Sequence, residues 1–297
     1  MEVFVTETGF CWGIELAYSR IDKLAAQSPS IKATNRGGGS PGWDPIQRIR
    51  AGDPELIKQY PHLARVEVVD ELTAVKGDEV AAIGHQGLDR DVIDDAKSKG
   101  VVVRDFKCPF IAKFDKMAEA LVAEGYDLIA FGKPKNHHCL YAKEVAERGG
   151  RVGLIAEDIA EIAEELRNPA RKWACVGQVT GNVQVWREFQ AGLSSFGIPV
   201  RVVDTVCTDS HERQTEAAEL AARVDTVVVV DDGGGATVSV LETCRAVNPN
   251  SFRYDPNQAL PVERFTGAKT VGVVCGILVP KWIVDKVAED IRNLSSA

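Results

Sequence analysis

Apolar residues in this chain form short runs that alternate with longer stretches of amphipathic, helix-like spacing. The runs predict strands at residues 3–5, 80–83, 101–103, 128–131, 152–155, 200–203, 226–230 and 271–274. The helix-like spacing predicts helices at residues 13–26, 89–99, 109–123, 140–148, 210–223 and 281–293. Because such alternation is typical of parallel sheets covered by helices, the predicted fold class is α/β.

Three of the seven cysteines occupy the same kind of position in this pattern. Cys11, Cys108 and Cys207 each follow a predicted strand and precede a predicted helix, and they are 97 and 99 residues apart. Near-equal intervals indicate three similar subdomains. Ligands of parallel α/β sheets bind outside the carboxyl ends of the strands, which is the edge where we expect all three thiols.

A cysteine at a helix N-terminus is stabilised as a thiolate by the unpaired backbone N–H groups and the helix dipole. Four thiolates would complete a zinc or iron–sulfur site, whereas three leave one coordination position open for a substrate. The alternative is that Cys11, Cys108 and Cys207 are packing residues, because cysteine is often buried in protein cores. Their spacing leaves both interpretations open. We interpret Cys175, Cys244 and Cys275 as packing residues.

Composition limits the kinds of function that fit. A chain of 297 residues with 45% hydrophobic and 26% charged residues is typical of a globular protein with room for two or three small domains. The net charge of −8, with no basic stripe, argues against nucleic-acid binding. No apolar stretch has the length of a membrane span, and no signal-peptide pattern follows Met1, so we expect a cytoplasmic protein without a membrane partner. An odd number of cysteines argues against a disulfide framework.

The sequences around the three cysteines resemble a known family. Gly9-Phe10-Cys11-Trp12-Gly13-Ile14 is similar to the Gly-Phe-Cys-Ala-Gly-Val motif of the LytB-type 4-hydroxy-3-methylbut-2-enyl diphosphate reductases. Cys108-Pro109-Phe110-Ile111-Ala112-Lys113 resembles that family's Cys-Pro-Leu-Val-x-Lys motif, and Cys207 with Arg213, Gln214 and Ala217 resembles its Cys-x5-Arg-Gln-x-Ala stretch. The resemblance extends in order and interval over nearly the whole chain.

The resemblance implies a trefoil of three α/β subdomains around a [4Fe–4S] cluster that Cys11, Cys108 and Cys207 hold, with the fourth iron open. We expect the subdomains at residues 12–107, at residues 108–206, and at residues 207–297 together with 1–11. In the family, a substrate hydroxyl binds the open iron, ferredoxin or flavodoxin supplies two electrons, and water leaves. The resemblance therefore implies the same class of electron donor here.

The chain departs from the family where the family binds diphosphate and moves protons. Where the family has its His-Pro-Glu element, this chain has Gly132-Lys133-Pro134-Lys135, which contains no carboxylate. The family's diphosphate-binding Ser-Ser-Asn falls on Gly235-Ala236-Thr237, and a further serine falls on Leu278. Each lost charge-assisted contact costs about 1.5–3 kcal/mol, so diphosphate affinity falls by orders of magnitude. We therefore predict a small substrate without a diphosphate, bound near Thr237 and Leu278.

Several polar residues are candidates for the same site. His85 matches a family histidine, Thr180 keeps a hydroxyl near the family's threonine, and Ser210 follows Cys207 by three residues. A second family histidine, expected near residues 35–43, has no counterpart, and the Gly-rich stretch at residues 37–43 predicts a loop, with a lid over the site as the alternative.

The segment after residue 131 is rich in groups that bind anions or carry protons. Lys133 and Lys135 are candidates for binding a substrate carboxylate, with solvated loop lysines as the alternative. Lys135 is also a candidate catalytic residue, as is His137, which would replace the missing glutamate as proton donor. Zinc binding by the neighbouring His137, His138 and Cys139 is disfavoured by their spacing.

Three hypotheses about function remain after these comparisons. The first is reductive dehydroxylation of a small, non-diphosphate substrate at the open iron of a [4Fe–4S] cluster. The second is a non-redox use of that iron, as a Lewis acid in dehydration or isomerisation or for sulfur transfer. The third is a non-catalytic iron–sulfur binding or sensing protein. A nucleotide site at Asp231-Asp232-Gly233-Gly234-Gly235 is rejected, because the stretch lacks the P-loop residues and its two aspartates would repel phosphate.

Overall fold

A computed structural model describes residues 1–6, 9–28, 30–34, 43–77 and 79–294. Most of the predicted loop at residues 37–43 and most of the segment searched for the second family histidine lie outside these described residues. Among the described helices, none combines the length and the apolar character that a membrane crossing requires.

Twelve strands and eleven α-helices alternate along the described part of the chain. The strands are β1 (Glu2–Val5), β2 (Ile31–Thr34), β3 (Glu67–Val68), β4 (Val80–Ile83), β5 (Val102–Asp105), β6 (Asp127–Phe131), β7 (Gly153–Ala156), β8 (Trp173–Gly177), β9 (Val200–Val203), β10 (Thr226–Val230), β11 (Ser251–Tyr254) and β12 (Thr270–Cys275). The helices are α1 (Trp12–Gln27), α2 (Pro45–Arg50), α3 (Pro54–Gln59), α4 (Arg90–Ser98), α5 (Pro109–Ala123), α6 (His137–Arg148), α7 (Ala163–Leu166), α8 (Val183–Ser195), α9 (Thr208–Ala221), α10 (Gly235–Val247) and α11 (Lys281–Asn293).

The strands form three four-stranded sheets. Sheet A has the order β1-β12-β10-β11, sheet B the order β3-β2-β4-β5, and sheet C the order β7-β6-β8-β9. Every strand pairing in them is parallel. The predicted α/β class with parallel sheets is confirmed.

Burial distinguishes the central strands from the edge strands. All five residues are buried in each of β6, β8 and β10, which pair on both sides. The edge strands β5 and β9 contain no buried residue. Parallel sheets are covered on both faces, and this explains why the central strands are continuous apolar runs that the sequence pattern detects.

Two compact units divide the chain. The first comprises Met1–Pro109, Arg223–Thr237 and Asn250–Ala297 and contains sheets A and B. The second comprises Phe110–Ala222 and Val238–Pro249 and contains sheet C. The three-subdomain boundaries at residues 12–107, 108–206 and 207–297 with 1–11 stay a prediction.

A buried carboxylate fixes the start of β6, one of the two central strands of sheet C. Asp127 is 5% exposed, and it accepts hydrogen bonds from the backbone N–H of Val152 at 2.7 Å and from Arg171 Nη1 at 3.3 Å. The bond to Val152 ties β6 to the residue that precedes β7. Removing the Asp127 side chain would take away the carboxylate that pairs with Arg171 and would leave the Val152 N–H without this acceptor.

We expect Asp127→Ala to lower the free energy of unfolding by about 1–3 kcal/mol, because it removes charge-assisted hydrogen bonds from a buried position. Urea denaturation followed by circular dichroism measures this change. Asp94→Ala, at an exposed position on α4, is the matched control and should change stability by less than about 0.5 kcal/mol. Equal denaturation midpoints for the two variants would contradict the role given to Asp127.

Candidate functional site

The three cysteines singled out by the sequence all lie directly before helices. Cys11 is the N-cap of α1 and Cys207 is the N-cap of α9, both with extended backbone conformations. Cys108 directly precedes α5, which begins at Pro109. Cys11 is half-buried, and the other two are 8% and 9% exposed. Each thiol therefore lies at the positive end of a helix dipole, which favours the thiolate.

Within the first unit, two of these sulfur atoms lie against the same glycine. A Cβ atom placed on Gly13 would be 2.5 Å from Cys108 Sγ and 3.9 Å from Cys11 Sγ. Any residue other than glycine would therefore displace the Cys108 thiol. The bare backbone of α1 lets both thiols occupy this space, and a metal cluster with thiolate ligands fits such a donor set.

A site for a single metal ion is not apparent in the described residues. No group of three or more His, Cys, Asp or Glu side chains within them could hold one ion. A cluster differs from a single ion because its cysteines bind different iron atoms, so their sulfur atoms need not converge on one point. The donor chemistry at Cys11 and Cys108 fits thiolate ligation of a cluster better than ligation of one ion.

His85 lies beside Cys108 and α1. Its carbonyl oxygen accepts the Cys108 N–H at 2.8 Å, and its ring centroid is 6.2 Å from that of Tyr18 on α1. The Tyr18 hydroxyl donates to Asp44 Oδ2 at 2.6 Å, and burial, followed by the Asp44 charge, raises the pKa of Tyr18 well above its usual value. We call Cys11, Gly13, His85 and Cys108 the Cys11–Cys108 group.

In the second unit, the backbone of Cys207 is hydrogen-bonded to the loop that follows β8. The Cys207 N–H donates to the Val179 carbonyl at 2.9 Å, and the neighbouring Thr180 carbonyl accepts from Ser239 Oγ at 3.1 Å. Thr180 is half-buried and Ser210 is 5% exposed in the first turn of α9. The structure thus brings three predicted site residues together, and we call Thr180, Cys207 and Ser210 the Cys207 group.

A buried glutamine holds the Cys207 group in place. Gln214 Nε2 donates to the Gly181 carbonyl at 2.9 Å and to Ser210 Oγ at 3.2 Å. Its Oε1 accepts from the Val183 N–H at 2.9 Å, at the start of α8. The side chain is 3% exposed, so these bonds are shielded from water and fix α8 and α9 relative to the loop between β8 and α8.

Lys133 lies between two carboxylates that are distant in the sequence. Its Nζ is 3.0 Å from Glu242 Oε1 and 3.7 Å from Glu157 Oε1. Burial acts to lower the Lys133 pKa, but hydrogen bonding and attraction to Glu242 and then Glu157 outweigh it and raise the pKa. A substrate carboxylate would have to compete with these two groups. The sequence next to Lys133 contains no carboxylate, but the fold places those of Glu242 and Glu157 beside it.

The remaining candidates of this segment are more exposed. Lys135 lies exposed in the turn before α6, and His137 is exposed in the first turn of that helix. His138, which the sequence analysis did not place in the site, is 3% exposed, and its ring centroid is 5.7 Å from that of Phe114 on α5. The exposed His137 ring lies beside that of His138, with the two ring centroids 3.9 Å apart.

Thr237 and Leu278 meet at a buried carboxylate in the first unit. Thr237 Oγ1 donates to Asp232 Oδ1 at 2.6 Å, and the Leu278 N–H donates to Asp232 Oδ2 at 2.9 Å. The Gly234 N–H adds a bond to Oδ1 at 2.7 Å, and the Asp232 side chain is fully buried. We call Asp232, Thr237 and Leu278 the Asp232 cluster. It adjoins the Cys11–Cys108 group, because the Cys11 N–H donates to the carbonyl of Ile277 at 3.1 Å.

The close packing of the Asp232 cluster requires glycine at position 276. A Cβ atom there would clash with Thr237 Oγ1 and would lie 2.5 Å from Asp232 Oδ2. The loop after β12 therefore lies directly against the carboxylate and the threonine hydroxyl.

Sequence reasoning missed several residues of these arrangements. Gln214 lies in a motif that was noticed, but its bonds to three segments have no signal in a linear pattern. Asp232 was noticed as an acidic residue in a loop, whereas the structure buries it completely. Glu242 carries no signal at all, because it pairs with a lysine 109 residues away.

The other four cysteines are thiols that lie outside these groups, and all four are buried. Burial, with a smaller effect of Glu157, raises the pKa of Cys139 to about 12, and burial raises that of Cys244 to about 12. Burial also raises the pKa of Cys175. Buried neutral thiols of this kind are poor metal ligands. The interpretation of Cys175 and Cys244 as packing residues agrees with their place in the core.

Fold and site together define an α/β protein with a candidate thiolate centre at the carboxyl ends of parallel strands. The family comparison is more specific, because residues 3–292 match the model of the family described as LytB protein. The chain therefore belongs to the LytB family, as its cysteine motifs predicted.

Curated relatives match along their full length. The chain is 28% identical over 299 residues to the 4-hydroxy-3-methylbut-2-enyl diphosphate reductase of Anaeromyxobacter sp. (strain Fw109-5), covering 99% of this chain and 98% of the relative. It is 26% identical over 295 residues to the reductase of the same name from Geobacter sulfurreducens, covering 99% and 98% of the two chains. The relatives named here are reductases, which supports an oxidoreductase of this family.

Two solved structures share the fold. The E-1-hydroxy-2-methyl-but-2-enyl-4-diphosphate reductase of Plasmodium falciparum matches with a TM-score of 0.79 at 15% identity, covering 98% of this chain and 88% of that one. A second structure, of an (E)-4-hydroxy-3-methyl-but-2-enyl diphosphate reductase, matches with a TM-score of 0.60 at 21% identity, covering 99% and 100%. At these identities the matches establish the fold.

The space at Gly13 gives a direct test of the thiol pair. We expect Gly13→Ala to lose most of its bound iron after anaerobic purification, because the added methyl group would displace Cys108 Sγ. Iron analysis and visible absorption measure this loss. Gly77→Ala is the matched control, since a Cβ there meets no atom within 4 Å. If both variants bind equal amounts of iron, the space at Gly13 is not needed for iron binding.

Proposed function

We propose that this chain is a [4Fe–4S] enzyme in which Cys11, Cys108 and Cys207 hold the cluster. The observation that carries the proposal is the pair of thiols against Gly13, each at the start of a helix. The equivalent position of Cys207 before α9 supports it as the third ligand. Family membership supports the same assignment, because LytB-type reductases use such a cluster.

The proposed reaction is reductive dehydroxylation of a small substrate. A cluster held by three cysteines supplies electrons and one open Lewis-acidic iron position. The overall change breaks one C–O bond: an alcohol, two electrons and two protons give the deoxygenated product and water. Ferredoxin or flavodoxin is the proposed class of electron donor.

Hydroxyl groups of the Cys207 group are the proposed contacts to the substrate. Thr180 lies in the loop bonded to Cys207, and Ser210 Oγ is oriented by Gln214. Both can donate to a substrate oxygen, since a hydroxyl is donor and acceptor. His85, Lys135 and His137 are the candidate proton carriers. His85 is the buried member and lies next to Cys108.

The Asp232 cluster supports a substrate without a diphosphate. A fully buried carboxylate places negative charge beside Thr237 and Leu278, which would repel a diphosphate group. Lys133 offers positive charge, but Glu242 and Glu157 already compensate it. A neutral substrate, or one with a single carboxylate that displaces a glutamate from Lys133, fits these charges better.

The cysteine assignment is tested by removing one thiol at a time. The anaerobically purified chain should contain about four irons, and Cys11→Ala, Cys108→Ala and Cys207→Ala should each lose most of them, because each removes a ligand. Cys175→Ala, in the buried β8 strand, is the control and should keep its iron. Retention of iron by Cys207→Ala, or a folded wild-type chain that binds none, would refute the proposed cluster.

The substrate assignment is tested by turnover. With dithionite and an electron carrier, we expect no turnover of hydroxymethylbutenyl diphosphate above background, because the Asp232 carboxylate opposes diphosphate binding. Electron consumption with a small hydroxylated acid, together with a changed EPR signal of the cluster, would support the reductase. Turnover of the diphosphate at ordinary enzyme rates would refute the non-diphosphate assignment, and activity without any electron donor would instead favour Lewis-acid chemistry.

A further inference from the structure

A groove in the first unit, outside the proposed centre, has the composition of a ligand site. It lies between the 3₁₀ turn Leu72–Ala74 and helix α4 and has a volume of about 880 Å³. That volume is in the range of small-molecule sites, about 300–1,000 Å³. We call it the α4 groove.

The inner surface of the α4 groove is apolar. Leu72, Val75 and Ala96 line it and are buried parts of the core of sheet B. Val92 on α4 also lines it and is 39% exposed, so an apolar side chain faces water in the absence of a ligand. Covering Val92 would remove apolar area from water.

The edge of the groove is acidic. Asp70 and Glu71 lie on one side, and Asp91 and Asp95 lie on α4 at the other. Lys99 is the single basic residue among the described residues that line the groove, and its Nζ is 2.7 Å from Asp95 Oδ2. The lining therefore has a net negative charge. Attraction to cations and repulsion of anions follow from this charge.

We propose that the α4 groove binds an amphipathic cation, a small molecule with an apolar body and one ammonium group. The apolar body would lie against the inner surface and cover Val92, and the ammonium group would lie at the acidic edge between Glu71 and Asp91. This occupant matches both the apolar inner surface and the charge of the edge. An acidic or neutral lipid-like molecule matches only the apolar inner surface.

The groove shares two chain segments with the Cys11–Cys108 group. Leu88, in its lining, lies in the loop after β4 that contains His85, and its carbonyl accepts from Lys107 Nζ at 3.4 Å. Val101 lines the groove at the start of the strand that leads to Cys108. A ligand in the groove therefore contacts the segments that precede and follow the bond between Cys108 N–H and the His85 carbonyl.

Hydrogen–deuterium exchange of the full chain tests the proposal with two probes of equal chain length, n-octylammonium and octanoate. We expect octylammonium to slow exchange of the amides at residues 72–75 and 88–101, and octanoate to have no such effect. The double variant Glu71→Gln/Asp91→Asn should weaken octylammonium binding about fivefold to tenfold in isothermal titration calorimetry. Glu216→Gln, an exposed acidic position on α9, should change it less than about twofold.

The variant Val92→Ser separates the contribution of the apolar surface to octylammonium binding from the contribution of the acidic residues. The position is partly exposed, so the variant is expected to fold, and it should weaken octylammonium binding while leaving the exchange of the ligand-free chain unchanged. Protection by octanoate as strong as by octylammonium would overturn the proposal, as would equal effects of the double variant and Glu216→Gln. A concentration-dependent dimer that Val92→Ser disrupts would assign the groove to a second copy of this chain instead.

Discussion

The approach of two sulfur atoms to the bare backbone of Gly13 is the contact on which the proposed chemistry depends. Cys11 and Cys108 belong to different parts of the sequence, and each is delivered by its own strand to the start of its own helix. Cys108 Sγ can keep its place because position 13 has no side chain, whereas a Cβ there would meet Cys11 Sγ at an ordinary contact distance of 3.9 Å. Neighbouring bonds, from Cys11 to Ile277 and from Cys108 to His85, hold the backbone so that the thiols keep this position.

Charged side chains near the proposed centre have hydrogen-bond partners inside the protein. Asp232 is satisfied by a threonine hydroxyl and two backbone N–H groups, and Lys133 is satisfied by Glu242 and Glu157. The Lys133 arrangement compensates a positive charge that a diphosphate-binding site would need to expose, whereas Asp232 keeps a negative charge that such a site would need to avoid. A fully buried carboxylate with several hydrogen-bond donors is costly to rearrange, so the Asp232 contacts are expected to persist when a substrate binds.

The fold could be predicted largely because the apolar runs of a parallel sheet are continuous. Central strands such as β6 and β10 were found at nearly their observed bounds, and α5 and α11 were found at their exact bounds. β8 was missed because Trp173-Ala-Cys-Val-Gly has few β-branched residues, and β3 because it has only two residues. In the site, the cysteines could be found from motifs, but the contacts of Asp232, Gln214 and Glu242 depend on tertiary structure that no local pattern encodes.

The four cysteines outside the Cys11–Cys108 and Cys207 groups have a consequence for how the chain would acquire iron. A chain with seven thiols offers many wrong ligand sets to incoming iron and sulfide, and each wrong set is a kinetic trap. The high pKa of Cys139 and Cys244, near 12, keeps these thiols protonated in the folded chain, and the core shields them from solvent. If folding precedes cluster assembly, the fold determines which sulfur atoms can compete for iron. In an iron-free chain, the same burial would protect Cys139 and Cys244 from oxidants.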